Sequence, residues 1–270
     1  MYPRLVIDLE KVKNNVRVMR ELTDRGNCEL GLVTKSFCAD PEIVKAIDSV
    51  GIDFFADARI QNLESYKEIK TPKMLLRLPQ HCEIEKVVSF ADMSLNSELS
   101  TIKLLDQEAA KQGKTHKVVL MIDLGDLREG IFFKDEDIIM STVEEILKLK
   151  NIKLHGVGVN LTCYGAVIPK QDNLSTLVEI AGKIESRFNI KLDMISGGNS
   201  SSIYLIDKEG LPEGINSLRV GEAFILGNET AYGERVEGTF DDAITFEAQI
   251  IELKEKPTLP IGEIGLDAFG

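Results

Sequence analysis

The sequence predicts an α/β protein built as a parallel (β/α)8 barrel of the TIM type, followed by the start of a C-terminal β-rich domain. Short strand-like runs of four to eight residues alternate with longer amphipathic stretches, which is the pattern of βαβ units. The runs are almost continuously apolar, as in sheets covered on both faces, and their number approaches that of a closed barrel. A doubly wound sheet is the alternative fold. No GxGxxG motif follows a strand, so dinucleotide binding has no support.

The predicted strands are short runs rich in Val, Ile, Leu and Phe, at 5–9, 28–35, 53–57, 73–78, 93–96, 116–125, 152–161, 191–199 and 217–227. Helical patterns separate most of them, at 10–22, 41–51, 59–69, 97–112, 135–149 and 172–187. Asp40 followed by Pro41 is typical of an N-cap with proline at the first helical position. Because tryptophan is absent, aliphatic side chains are expected to fill the core.

The sequence changes character after the last of these runs. ITFEAQIIELKEK (244–256) alternates apolar and polar residues, which predicts a half-buried strand, and a segment rich in turn residues follows it. We therefore predict a barrel over residues 1–238 and the beginning of a β domain, incomplete in this sequence, over residues 239–270.

Composition excludes several classes of protein. A formal net charge of −12 argues against a nucleic-acid-binding surface, which needs clustered Lys and Arg. The four cysteines form no CxxC pair and no Cys/His ligand spacing, so we expect no metal site. The sequence contains neither a signal-peptide pattern at its start nor an apolar run long enough to span a bilayer. We expect a cytoplasmic protein that does not bind membranes.

Function in a parallel barrel resides where the strands end, and polar residues at those points are the candidates: Lys35, Asp57, Arg77, Asn96, Asp123 with Arg128, Asn160, the 196–202 loop and Arg219. A lysine inside the barrel mouth would be partly desolvated, which favours the neutral amine that condenses with an aldehyde. Taken alone, Lys35 is also compatible with a surface lysine at the start of a loop.

Two later segments have the composition of a phosphate site. SGGNSSS (196–202) offers exposed backbone N–H groups and serine hydroxyls directly after a strand, although plain Gly/Ser loops are common. In SLRVGEAFILG (217–227), the backbone of Gly221 and Glu222 could donate to the same phosphate, and Arg219 could reach a ligand from the barrel wall.

The ordered set RLVIDLEKVKNNV, LGLVTKSF, MIDLGDLREG, LHGVGVN, SGGNSSS and SLRVGEAFILG resembles the alanine racemase-like, fold-type III pyridoxal phosphate enzymes. The resemblance covers about residues 4–255 and is nearest to the ornithine/lysine-type amino-acid racemases of that superfamily. It implies a homodimer that uses pyridoxal 5′-phosphate to interconvert the L and D forms of a free amino acid, such as ornithine or lysine.

The resemblance also implies residue roles. Lys35 matches the lysine that forms the Schiff base and then acts as a catalytic base. Ser200, with the backbone of Gly221 and Glu222, matches the phosphate site. Arg219 matches the arginine that faces the pyridine nitrogen.

Two further positions match with differences. Asn160 stands where alanine racemases have a histidine that supports this arginine, and Arg128 matches an arginine near the substrate carboxylate.

The sequence departs from the alanine racemase pattern at three places. No tyrosine follows Lys35 in KSFCA, and Met121 stands where alanine racemases often carry a modified lysine. The tyrosine that serves as second base is absent as well. Racemisation needs a base on each face of a planar intermediate, and Asp267 in GLDAFG is the candidate replacement.

Two alternatives remain. One is a non-catalytic pyridoxal phosphate homeostasis protein. Proteins of that kind are single barrels and lack a segment like 244–256. The other is a metal-dependent aldolase or dehydratase of the same superfamily. Its His and Cys ligands would lie in a C-terminal domain, but the histidines here are His81, His116 and His155.

Overall fold

The computed structural model describes residues 2–268. Its strands are β1 Arg4–Ile7, β2 Glu29–Val33, β3 Phe54–Asp57, β4 Lys73–Leu75, β5 Met93–Asn96, β6 His116–Asp123, β7 Ile131–Phe132, β8 Ile152–Gly158, β9 Met194–Asn199, β10 Ser217–Val220 and β11 Ile244–Glu247. Its helices are α1 Leu9–Arg25, α2 Pro41–Asp48, α3 Ile60–Ser65, α4 Ile84–Phe90, α5 Leu99–Gln112, α6 Glu136–Leu147, α7 Gln171–Phe188, α8 Tyr204–Lys208 and α9 Glu222–Leu226.

Eight parallel strands close into a barrel, in the order β2, β3, β4, β5, β6, β8, β9 and β10, with β10 returning to β2. Met93 pairs with Lys117 where β5 meets β6, and Ser217 pairs with Glu29 where β10 meets β2. The short strand β7 attaches to the end of β6. The predicted (β/α)8 barrel is confirmed, because every barrel strand has two neighbours and no open edge remains.

The first predicted strand does not belong to the barrel. β1 pairs antiparallel with β11, from Arg4 opposite Glu247 to Ile7 opposite Ile244. The predicted strand over 244–256 is correct only for its first four residues. A strand forms only where a neighbouring strand pairs with it, and β1 offers four residues for this pairing. Residues 248–268 form exposed coil. The division into domains at residues 238 and 239 stays a prediction.

Helix starts follow the capping residues that the sequence offers. The carboxylate of Asp40 accepts hydrogen bonds from the backbone N–H of Glu42 at 3.0 Å and of Ile43 at 3.3 Å, with Pro41 in the first turn, as predicted. Asp8, assigned to a strand in the sequence analysis, instead caps α1. The predicted strand and loop at 217–227 divides into β10 and the short helix α9. This division places backbone N–H groups of a helix start at the barrel mouth.

Two apolar cores stabilise the barrel. The larger lies between the strands and the helices. The smaller fills the barrel interior with Val33, Phe54, Ala56, Met74, Met93, Leu95, Val119, Met121 and Met194. The expectation of an aliphatic core is therefore incomplete, since four methionines and a phenylalanine line the interior. Met121 is fully buried there.

We expect Gly156→Ala to lower the free energy of unfolding by about 1–3 kcal/mol, the usual cost of overpacking. A Cβ at Gly156 in β8 would lie 1.9 Å from the carbonyl oxygen of Met194 in the neighbouring strand, and backbone cannot move aside cheaply. Gly182→Ala in α7 is the matched control. No atom lies within 4 Å of its added Cβ, and we expect a gain of about 0.5–1 kcal/mol from helix propensity. Urea unfolding followed by circular dichroism measures both, and equal stabilities would contradict the packing account.

Candidate active site

One cavity of about 560 Å³ opens at the carboxyl ends of the barrel strands. It is lined by Arg77 and by every residue to which the resemblance assigned a role except Asp267, namely Lys35, Arg128, Asn160, Ser200, Arg219, Gly221 and Glu222. These residues come from segments far apart in sequence, and the parallel strands bring them to the same end of the barrel. Asp57, Asn96 and Asp123, also considered from sequence, are buried and do not belong to this lining.

Arg219 lies in β10 with only 2% of its surface exposed. Its guanidinium donates to the carbonyl oxygen of Val159 at 2.7 Å, to Oδ1 of Asn160 at 2.8 Å, and to the hydroxyl of Ser196. Burial lowers the pKa of Arg219 to about 10, although the negative charge of Glu129 opposes this shift. Arg219 therefore stays protonated at neutral pH, and Asn160 is one of its three hydrogen-bond acceptors.

Ser200 follows β9 and faces the start of α9. Its Oγ accepts hydrogen bonds from the backbone N–H of Gly221 at 3.1 Å and of Ala223 at 3.3 Å. The first N–H groups of a helix have no partner within the helix, so they are available to an acceptor at this point. Ala223 was missed because the sequence analysis assigned 217–227 to a strand and a loop. Glu222 lines the cavity between these two donors, with an exposed side chain.

Lys35 lies two residues beyond the end of β2, in a short 3-10 turn at the cavity rim. The residue is exposed, so the expectation of a partly desolvated lysine is wrong. Contacts of the preceding residue, Thr34, hold this turn in place. The hydroxyl of Thr34 donates to Asp57 at 2.6 Å and lies 3.3 Å from the hydroxyl of Tyr66. Burial raises the pKa of Tyr66 far above its usual range, so this phenol stays neutral.

Glu129 is a cavity residue that the sequence analysis missed. Its side chain is 13% exposed and accepts from Nε of Arg128 at 2.7 Å, whereas the side chain of Arg128 is 42% exposed. Its other oxygen accepts from Nδ2 of Asn160. The only signal in the sequence was its place beside Arg128, and an acidic neighbour of a loop arginine usually indicates a solvated pair.

Asp126 fixes the loop that carries Thr162 and Cys163 into the cavity. This fully buried carboxylate accepts from the backbone N–H of Tyr164 at 2.9 Å and of Val167 at 3.0 Å. Burial disfavours its charged form, but these N–H groups outweigh burial, and the pKa of Asp126 is lowered. One wall of the cavity thus depends on a charge that does not itself line it.

Asp267 lies in exposed coil and is not among the residues that line the cavity. Its role as a second base stays a prediction. Across residues 2–268, no cluster of three or more His, Cys, Asp or Glu side chains could hold a metal ion. Within that same range, none of the helices combines the length and the apolar composition needed to cross a membrane.

Comparison with known proteins supplies the family. The model of the alanine racemase N-terminal domain matches residues 7–229. An ornithine racemase from Acetoanaerobium sticklandii is 57% identical over 270 residues, which is all of this chain and 76% of that protein. A lysine racemase from Thermotoga maritima is 35% identical over 272 residues, covering all of this chain and 75% of the relative. The chain thus spans about three quarters of the length of these curated relatives.

A solved alanine racemase from Clostridium difficile 630 superposes with a TM-score of 0.72 at 19% identity, over 96% of this chain and 68% of that one. At 19% identity this likeness shows the fold, whereas the family match and the two curated relatives place the chain in the class of the fold-type III pyridoxal phosphate proteins. Within that class, the chain belongs to the family of the alanine racemase N-terminal domain.

We expect Asp126→Asn to lower the free energy of unfolding by about 1–3 kcal/mol at pH 7, because the new amide nitrogen would face backbone N–H donors. The folded pKa of Asp126 lies below its ordinary value of 3.8, so its contribution is present above that pH and is lost as the pH falls through the folded value. The difference between wild type and variant should therefore shrink below about pH 4.

Asp207→Asn is the matched control for this experiment. Asp207 forms an exposed pair with Arg25 and should change stability by less than about 0.5 kcal/mol. Urea titrations from pH 3 to pH 7 compare the two variants. A difference between wild type and Asp126→Asn that stays constant over this range would reject the role of the charge.

Proposed function

We propose that this chain is a pyridoxal phosphate-dependent amino-acid racemase, and that its substrate is a basic amino acid, with ornithine first and lysine second. The observation that carries the proposal is the single cavity that unites Lys35, Arg219 and Ser200. Two curated relatives of this chain are an ornithine racemase and a lysine racemase. These relatives do not favour a carrier that binds the cofactor without catalysis.

The donor set of the cavity suits pyridoxal phosphate. The backbone N–H groups of Gly221 and Ala223 both lie within hydrogen-bond distance of the Ser200 hydroxyl, so three groups that can donate to a phosphate are close together. Lys35 supplies an amine to the same cavity, and Arg219 supplies a fixed cation. When bound, the cofactor contributes an aldehyde that condenses with amines and a conjugated ring that withdraws electrons.

Arg219 selects the type of reaction. A guanidinium donates hydrogen bonds and cannot accept a proton, so a ring nitrogen that faces it stays unprotonated. Such a ring withdraws electrons less strongly, which favours simple removal and return of the α-proton over transfer of the amino group. The three acceptors around Arg219 hold its guanidinium in a fixed orientation for this contact.

Racemisation then requires a residue that binds the substrate and, on each face of the substrate, a group that can hold the α-proton. In our proposal, Arg128 binds the substrate carboxylate, and Nζ of Lys35 holds the α-proton on one face of the substrate. Asp267 is the proposed group on the other face. The exposure of Lys35 at the rim leaves its amine accessible to a small molecule entering the cavity.

We also propose a cytoplasmic homodimer. The apolar side chains of Leu5 and Phe246 face each other across the β1–β11 sheet and are 63% and 67% exposed, which suits burial against a second subunit. Four free cysteines fit a reducing compartment.

Lys35→Ala should abolish the covalent attachment of the cofactor. Wild type mixed with pyridoxal phosphate should absorb in the visible, and borohydride should fix the cofactor onto a peptide that contains Lys35. L-Ornithine in deuterated water should lose optical rotation and gain α-deuterium with wild type, and at least about 1000-fold more slowly with Lys35→Ala. Lys183→Ala, on an exposed pair with Glu136, should behave as wild type.

The outcomes separate the candidate functions. Cofactor binding without α-proton exchange for ornithine, lysine or alanine would favour the carrier. Failure of wild type to bind the cofactor at all would reject the proposal.

Ser200→Ala tests the phosphate site. We expect the affinity for pyridoxal phosphate to fall about tenfold or more, since one hydrogen bond to a charged group is lost. The affinity for pyridoxal, which lacks the phosphate, should hardly change. Ser141→Ala on the exposed face of α6 is the control. Absorbance titrations of wild type and the two variants with both ligands give the six dissociation constants, and equal losses of affinity for the two ligands would place the phosphate elsewhere.

A further inference from the structure

The loop after β6 presents Glu129 to the cavity in a defined position. The carboxylate of Asp123 accepts from the backbone N–H of Gly125 at 2.8 Å and of Leu127 at 3.1 Å, which shapes the loop. Gly130 has a φ of 127°, and a Cβ there would lie 2.6 Å from the backbone nitrogen of Asp123. The chain therefore turns back tightly against the end of β6, directly after Glu129.

Glu129 continues a chain of hydrogen bonds that begins at Arg219 and passes through Asn160. A guanidinium only donates, so the amide oxygen of Asn160 must face Arg219, at 2.8 Å. The amide nitrogen of Asn160 then points the other way and needs an acceptor, which Glu129 supplies. A hydrogen-bond donor in place of the Glu129 carboxylate would face the amide nitrogen of Asn160, which is itself a donor.

The second oxygen of Glu129 extends the chain to Arg128, whose Nε lies 2.7 Å away. One carboxylate thus contacts both the residue that orients Arg219 and the arginine proposed to bind the substrate. Four cations and two acids line the cavity, and Glu129 is much less exposed than the other acid, Glu222.

We propose that Glu129 is a positioning residue that links the two ends of the active site: it orients Asn160 toward Arg219 at the cofactor end and holds Arg128 at the substrate end. The proposal rests on the racemase function proposed above. It assigns to Glu129 no contact with the reacting atoms, and its effects on catalysis pass through the two arginines.

Glu129→Gln separates the two links while keeping the size of the side chain. Glutamine can still accept from Asn160 with its oxygen, but its amide nitrogen then faces Nε of Arg128, donor against donor. We expect KM for ornithine to rise about tenfold, kcat to fall less than about threefold, and the dissociation constant for pyridoxal phosphate to stay within about twofold.

Glu129→Ala removes both links. We expect the rise in KM seen with glutamine and, in addition, a weaker affinity for pyridoxal phosphate and a changed pH dependence of the visible absorption of the bound cofactor, because Asn160 is no longer held toward Arg219. These readouts do not depend on turnover.

A double variant tests whether Glu129 acts through Arg128. If it does, Arg128→Ala combined with Glu129→Gln should raise KM no further than Arg128→Ala alone. Full additivity would contradict the link. Glu136→Gln, on the exposed outer face of α6, is the matched control and should leave KM and kcat unchanged.

The experiment distinguishes this proposal from the one it rests on. If wild type neither binds the cofactor nor racemises, the proposed function fails. If wild type is active and Glu129→Gln behaves as Glu136→Gln does, only the role of Glu129 is overturned. Thermal unfolding of each variant checks folding, and Glu129→Asp serves as a second variant. The shorter acid should keep one link and fall between glutamate and alanine in KM.

Discussion

The buried charge of Arg219 is the constraint around which the barrel mouth is built. A cation placed among apolar side chains costs several kcal/mol unless acceptors surround it. Here the acceptors come from Val159 and Asn160, just after β8, and from Ser196 in β9. Three consecutive strands of the barrel are thus tied together by one side chain, and the ligand end of the sheet acquires a fixed geometry.

The same constraint explains why the cavity residues fall into a buried group and an exposed group. Buried groups, such as Arg219 and Ser200, have their positions set by hydrogen bonds to backbone and side chains. Lys35 and Arg128, proposed above as the reacting amine and the substrate-binding cation, are exposed at the rim. Glu129 and Asn160 lie between the two groups and connect them. A buried, hydrogen-bonded interior and an exposed rim suit the proposed site, which would hold a cofactor and exchange small substrates.

Much of this arrangement could be predicted from sequence. Apolar strands that alternate with amphipathic helices predict a parallel sheet, and polar residues just after those strands predict the lining of the mouth. The partner of a strand is harder to predict, because alternation reports burial and not which strand lies alongside. For this reason LVIDL was assigned to the barrel, whereas it pairs with β11.

Glu129 and Asp126 could not have been found by pattern alone. Both are acids in a loop of a chain with a net charge of −12, and most such acids are solvated. Their importance depends on backbone N–H groups and an amide that come from residues more than 30 positions away. The expectation that Lys35 is partly desolvated is wrong for a related reason. The end of a strand, read from sequence, does not show how far the following turn projects toward solvent.

The pairing of β1 with β11 has a consequence for biosynthesis. The side chains of Arg4 and Glu247 meet although the two residues are 243 positions apart in the sequence. During translation, the segment 4–7 is made long before the segment 244–247, and all the barrel strands are made between the two. At elongation rates of about 5–20 residues per second, this delay is on the order of 10–50 seconds. For that time Leu5 and Val6 have no strand beside them, so the nascent polypeptide carries an unpaired apolar edge that a chaperone could bind.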